Sequence, residues 1–234
     1  MTLSDTAAMC QAVVAQFPNL AGLAVVVHDD GWDNVALEIG ARWICKFPRD
    51  EDSRDALRRE AALLAVLHPR LTIAVPAMEL IERPAVFTRH RMLPGKGLLS
   101  ADYALLDDPQ RDRLARDVAS FLAELHAIDA DWAAIGIERE DEDFDADDVT
   151  REAWPLLPAE LRPAAERALA ARADLGPDPL GTGLCYLDAH GRNFAFDATR
   201  RRLNGSSISA TRRWRNGTRN SSNRPMSRAT SPFA

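Results

Sequence analysis

The spacing of apolar residues changes period twice along the chain. Residues 4–17 follow helical spacing, with Ala8, Val13, Val14 and Phe17 apolar and Ser4 or Asp5 available as a cap. A strand-rich stretch comes next. Leu23 to Val27 is β-branched and apolar, 28–33 reads as a turn, and Asn34 to Ile39 can pair back. Gly40-Ala41 turns again, and Arg42 to Phe47 makes a third strand. Helical spacing returns from an Asp52 or Ser53 cap to about His68, with Leu57, Ala61, Leu64 and Leu67 on one face. Ala77 to Ile81 and Ala85 to Arg91 fit two more strands. These elements predict a five-stranded antiparallel sheet with one helix between its third and fourth strands.

Leu93-Pro94-Gly95-Lys96-Gly97 is a breaker cluster and a natural hinge. Beyond it the pattern is helical. Pro109 to Ile128 is amphipathic, with Leu114, Val118, Phe121, Leu122 and Leu125 inward. Residues 138–148 are an acidic run, and 153–173 predict one or two helices interrupted by Pro155, Pro158 and Pro163. Leu184-Cys185-Tyr186-Leu187 reads as a strand leading into a polar loop. The expected class is α+β with three divisions. Residues 1–92 form a sheet lobe, 93–205 a helical lobe, and 206–234 a basic tail.

Composition narrows the function classes. The chain has 234 residues and is 46% hydrophobic, enough for a packed core. No apolar run reaches the roughly 18 residues of a membrane span. The N-terminus lacks the basic-then-apolar order of a signal peptide. Cys10, Cys45 and Cys185 are far apart in apolar contexts, as expected of free thiols in a cytoplasmic protein. Net charge is −6, unevenly spread. Residues 206–234 hold six Arg and no acid, so the remainder carries 23 basic against 35 acidic residues, a balance of −12. That acidic body argues against nucleic acid and suits a cationic small substrate.

Candidate chemistry centres on Asp188-Ala189-His190-Gly191-Arg192-Asn193, an Asp followed five positions later by an Asn after an apolar strand. Kinase-like phosphotransferases use such an Asp to orient the attacking hydroxyl and take its proton, and such an Asn to hold Mg²⁺. Lys46, in an apolar strand, needs a partner or an exit to water, and Glu60 in the following helix is the candidate partner. The plainer alternative is a strand-edge lysine and a solvated glutamate. The 28–34 turn holds one glycine, so a bare hairpin explains it as well as a phosphate-covering loop. His190 and Arg192 could position the Asp188 carboxylate or a phosphate, or be ordinary loop polars. His126 reads better as a packed helix-end histidine. The acidic run is a solvated face or an attractor for an amine-bearing substrate.

Taken together these segments resemble the aminoglycoside phosphotransferase and choline kinase-like family. The similarity is carried by Gly31 to Asn34, Trp43 to Arg49, Glu60, Met92 to Gly95, Phe121 to His126 and Asp188 to Asn193, across roughly residues 20–205. The resemblance implies a protein-kinase-like two-lobe fold, ATP or GTP with Mg²⁺, and transfer of a γ-phosphate to a small-molecule hydroxyl; the chain is expected to be a cytoplasmic monomer. It implies Lys46 on the α- and β-phosphates, base contacts by backbone near Arg89 and His90, Asp188 as catalytic residue and Asn193 on the metal.

The chain departs from the family twice. Tyr186-Leu187 stand where the family has His-Gly before its catalytic Asp. A second acidic metal ligand should follow Leu203-Asn204-Gly205, yet no Asp or Glu occurs after Asp197. The tail reads as a frameshifted segment. With codons TCG-TCG-ATT-TCG-GCG-ACG for 206–211, reading from the third base gives Val-Asp-Phe-Gly-Asp, the missing motif. The rival is a disordered basic tail that binds an acidic partner. The expected function is a phosphotransferase impaired by loss of the acidic ligand. A non-catalytic nucleotide-binding remnant and a helical binding protein without a nucleotide site stand as alternatives.

Overall fold

The computed structural model describes residues 6–137, 139–140, 146–174, 184–186, 188–208 and 211–214. The chain forms two compact units, one of residues 1–139 with 183–213, the other of 140–182 with 214–234. The first unit opens with α1 (Thr6–Gln16), then β1 (Val25–His28), β2 (Asn34–Ile39) and β3 (Trp43–Pro48). Next come α2 (Glu51–Leu67), β4 (Glu79–Ile81) and β5 (Phe87–Arg91). The five strands make one antiparallel sheet in the order β1-β2-β3-β5-β4, with α2 between its third and fourth strands in sequence.

Strand alternation gives the sheet two different faces. Odd-numbered residues of β2, β3 and β5 point to one side, where Leu37, Ile39, Cys45, Phe47 and Phe87 form a core with Met9 and Val13 of α1. Phe47 and Phe87 stack there at 4.8 Å. Even-numbered residues point to the other side, which carries the site. Helix α2 is capped by Asp50, whose carboxylate accepts the Ser53 N–H at 2.8 Å, rather than by Asp52 or Ser53. Those two residues lie inside the first turn, because the strand gives way to the helix immediately after Pro48-Arg49.

After the hinge, α3 (Ser100–Ala104) precedes the long α4 (Asp108–His126). Asp107 and Gln110 cap α4 reciprocally, at 2.8 and 3.1 Å. Leu63, Leu64 and Leu67 of α2 share a second core with Leu114, Phe121 and Leu125 of α4. That core also takes in β7 (Leu184–Tyr186), β8 (Phe194–Asp197) and β9 (Arg202–Ser206), through Leu184, Tyr186, Phe194, Phe196 and Leu203. A short β6 (Arg139–Glu140) precedes these strands in the chain. The sheet and α4 thus lie in the same compact unit, joined through this second core. The hinge is stitched to β8, with Lys96 and Phe196 exchanging backbone hydrogen bonds of 3.0 and 2.7 Å.

The folded chain continues past residue 205. Ser206 ends β9, Ile208 is fully buried in the second core, and β10 (Thr211–Trp214) pairs antiparallel with β7. The start of the expected tail is thus structured, because Ile208 supplies an apolar side chain where the core needs one. Residues 209–210 and 215–234, like most of the acidic run, lie outside the described residues. In the second unit, α5 (Ala146–Ala153) and α6 (Arg162–Ala173) are joined through turns at 154–156 and 159–161. The Arg162 guanidinium donates to the carbonyls of Trp154 and Leu157. Among the described residues no helix is long and apolar enough to cross a membrane.

Candidate functional site

Lys46 lies on β3 opposite Thr88 of β5, and Ile44 lies opposite His90. Directly opposed residues share a face, so these four side chains lie on the side of the sheet away from α1. Lys46 Nζ donates to Glu60 Oε1 at 2.6 Å. The glutamate is 8% exposed and the lysine 20%. The expected pairing is present, and the solvated-glutamate alternative does not hold. The pair ties α2 to the sheet and leaves the lysine partly open to solvent.

Arg89 and His90 part company by alternation. Arg89 points to the α1 side, with its guanidinium 3.5 Å from the Phe17 ring centroid and 4.5 Å from that of Trp43, and it pairs with Glu79 at 2.6 Å. Only its backbone can reach the cleft. His90 points inward and is 7% exposed, and its Nδ1 is buried with no hydrogen-bond partner. Burial first, and the Lys46 charge second, push its pKa down to about 4, so the imidazole is neutral at physiological pH.

The loop after β7 brings its two expected residues together. Asn193 Nδ2 donates to Asp188 Oδ2 at 2.6 Å and to the Asp188 carbonyl at 2.9 Å. His190 Nε2 lies 3.3 Å from Asp188 Oδ1, so both carboxylate oxygens have a neighbour that orients them. The loop is braced from behind by the hinge, where Leu98 N–H donates to the Gly191 carbonyl at 2.8 Å. A Cβ on Gly191 would come within 2.0 Å of the Leu98 carbonyl oxygen, so the close approach requires glycine.

Tyr186 lies two residues ahead of Asp188. Its hydroxyl donates to the Ser207 carbonyl at 3.0 Å, and its ring packs edge-on against Phe121 and Phe194. Burial chiefly, helped by the charges of Asp188 and Glu60, pushes its pKa up to about 12. The hydroxyl therefore stays a donor. Ser207 in turn donates its N–H and its Oγ–H to the Asn193 carbonyl, at 2.8 and 3.2 Å.

An open cavity of about 190 Å³ is walled by Ile44 and His90, by hinge residues Met92, Leu93, Gly95, Lys96 and Gly97, and by Arg192, Asn193 and Ser207. Pro76, Phe194 and Ala195 complete it. Lys96 and Arg192 give the wall two cations, and no Asp or Glu among the described residues lines it. Such a wall suits an anion with an apolar body. The 28–34 turn is tied down by Arg49, which donates to the carbonyls of Asp29 and Gly31.

The pattern of the phosphotransferase enzyme family matches residues 24–205. The chain belongs to that family. Among solved structures it is similar to the GDP complex of wild-type aminoglycoside 2'-phosphotransferase-IIIa, with TM-score 0.77 and 20% identity over 90% of this chain and 74% of that one. It is also similar to macrolide 2'-phosphotransferase from Brachybacterium faecium, with TM-score 0.62 and 24% identity over 89% of this chain and 73% of that one. A third, macrolide 2'-phosphotransferase type I, gives TM-score 0.62 and 25% identity over 92% and 75%. No curated protein matches the chain in sequence. The protein-kinase-like fold is thereby established, with the antiparallel sheet as N-terminal lobe and α4 in the helical one.

Magnesium, which this family implies, has a poor fit to the residues present. Asn193 can offer its amide oxygen Oδ1, a single neutral ligand, while its Nδ2 donates to Asp188. The residue facing it from the end of β9 is Ser207, a neutral hydroxyl already bonded to a carbonyl. Asp197, the last acid in the chain, accepts the Thr199 and Arg200 N–H groups of its own turn, the latter chiefly holding its carboxyl below the usual range. Among the described residues no cluster of three His, Cys, Asp or Glu could hold a metal ion. Sequence reasoning did not single out Thr88 or Lys96. Alternation from Lys46 across the sheet would have found Thr88; nothing in the sequence marked Lys96 beyond its place in the hinge.

Proposed function

We propose that this family member binds a nucleoside triphosphate, ATP or GTP, and transfers its γ-phosphate to a hydroxyl of a small molecule, at a rate far below that of a complete site. One observation carries the reading: a single cavity is walled both by the Ile44–His90 strand pair beside Lys46 and by Asn193 of the Asp188 loop. The base would sit against the hinge and the phosphates would run toward Lys46. The acceptor hydroxyl would donate to Asp188, whose carboxylate is oriented by Asn193 and His190. As the acceptor oxygen bonds to phosphorus, its proton passes to Asp188 and the nucleoside diphosphate leaves. The aminoglycosides named for similar structures, kanamycin and gentamicin, are polyhydroxylated cations that an acidic body would attract.

Transfer builds negative charge that fixed positive groups must meet. Lys46, paired to Glu60, is one such group. The hydroxyl of Ser207 stands where an acidic metal ligand would be required, so loss should fall chiefly on the chemical step. This favours, as the second reading, a nucleotide-binding protein without turnover. Thermal-shift titration with GDP and ADP tests binding, and transfer of labelled γ-phosphate to a panel of hydroxyl compounds tests chemistry. A native-state ligand must raise the unfolding midpoint. No shift with either nucleotide would remove both readings.

A further inference from the structure

Among the described residues, His90 is the one buried polar side chain in the cavity wall without a partner at one ring nitrogen. The hinge cannot choose between purines by itself. Leu93 N–H and the Met92 and Leu93 carbonyls make no backbone hydrogen bonds among the described residues, so the hinge offers a donor and acceptors to whichever base arrives. Discrimination needs a side chain of fixed polarity, and alternation on β5 puts His90 in that place.

The ring's polarity follows from its burial. An orphaned buried N–H is rarer and costlier than an orphaned lone pair. A proton on the buried, partnerless Nδ1 would be such an orphan, so the proton resides on Nε2. We propose that His90 presents Nε2–H to the cavity and thereby selects 6-oxopurine nucleotides, guanine above adenine. The 6-oxo group accepts that hydrogen, whereas the 6-amino group of adenine opposes a donor with another donor. Burial keeps the ring neutral, consistent with a pKa near 4, so the choice does not depend on protonation at physiological pH. The inference rests on the nucleotide reading above and names which base it prefers.

Calorimetric titration of the full chain with GDP, inosine diphosphate and ADP tests it. Inosine diphosphate keeps the 6-oxo group and lacks the 2-amino group of GDP. The expected order is GDP and inosine diphosphate alike, both about tenfold or more tighter than ADP, the discrimination a mismatched buried hydrogen bond gives. His90→Leu removes the donor, and His90→Gln replaces it with an amide that can turn either way. In both, the ratio should fall to within about twofold; the glutamine variant keeps a polar group should leucine prove unstable. ADP binding as well as GDP, inosine diphosphate behaving like ADP, or a ratio that survives in the variants would overturn the inference. A chain that binds none of the three overturns instead the nucleotide reading beneath it.

Discussion

The Lys46–Glu60 pair permits a quantitative test by double-mutant cycle. Lys46→Met leaves the Glu60 carboxylate, 8% exposed, without its cation. Breaking a fully buried pair costs about 3–5 kcal/mol. Lys46 is one-fifth exposed, so water already screens part of the attraction, and the expected loss is about 2–3 kcal/mol. Glu60→Gln keeps the shape and an amide oxygen, and the lysine can turn toward solvent, so its cost should be about 1–2 kcal/mol. The double variant has neither charge to desolvate and should cost less than the sum, with a coupling of about 1–2 kcal/mol. Urea unfolding of all four proteins measures this, with m unchanged. At about 2–4 °C per kcal/mol for a domain of this size, Lys46→Met should melt roughly 4–12 °C lower. Additive effects, or a Lys46→Met variant as stable as the parent, would refute the claim that the two charges act as a partly desolvated pair.

Three other outcomes follow from the site. His90 has a folded pKa of about 4 against an ordinary 6.5, so between those values only the unfolded chain takes the proton. Stability should be level above about pH 6.5 and fall by about 3 kcal/mol as pH drops to 4, and His90→Leu should flatten that interval in pH-dependent denaturation. Gly191→Ala places a methyl against the Leu98 carbonyl, so it should cost about 2 kcal/mol or more and weaken nucleotide binding, read by thermal shift. Asp188→Ala should leave GDP affinity within about twofold while cutting any phosphoryl transfer by roughly a hundredfold or more, since the carboxylate acts on the acceptor.

Much of this arrangement was legible in the chain because the period of its apolar residues is set by backbone geometry. β2 was placed residue for residue, and α2 and α4 to within one or two positions at most ends, because their buried faces recur at the proper spacing. Lys46 and Glu60 were legible as a pair because a lysine in an apolar strand must be answered. The misses have separate causes. Met9 and Ala12 of α1, outside the apolar positions named from spacing, are buried through contacts far away in sequence, in the core that holds Leu37 and Phe47. Asp50 outcompeted Asp52 as cap because its backbone is extended there, a property of the preceding strand. Ser206 and Ile208 were assigned to a polar tail on composition, yet one pairs with Phe194 and the other fills the core. Nothing local in the sequence pairs Arg49 with the 28–34 turn, whose Asp29 and Gly31 carbonyls it meets only in the folded chain.

The central claim is that the Asp188 loop is assembled while Ser207 leaves its charge-stabilising side incomplete. Labelled phosphoryl transfer from GTP and ATP to a panel of aminoglycosides and macrolides, by the parent chain and by Ser207→Asp, tests it directly. Transfer near background is expected of the parent. A gain of about tenfold or more is expected of Ser207→Asp with magnesium, abolished again when Asp188→Ala is added. Robust turnover by the parent, or a Ser207→Asp variant that binds nucleotide and transfers nothing more, would contradict it.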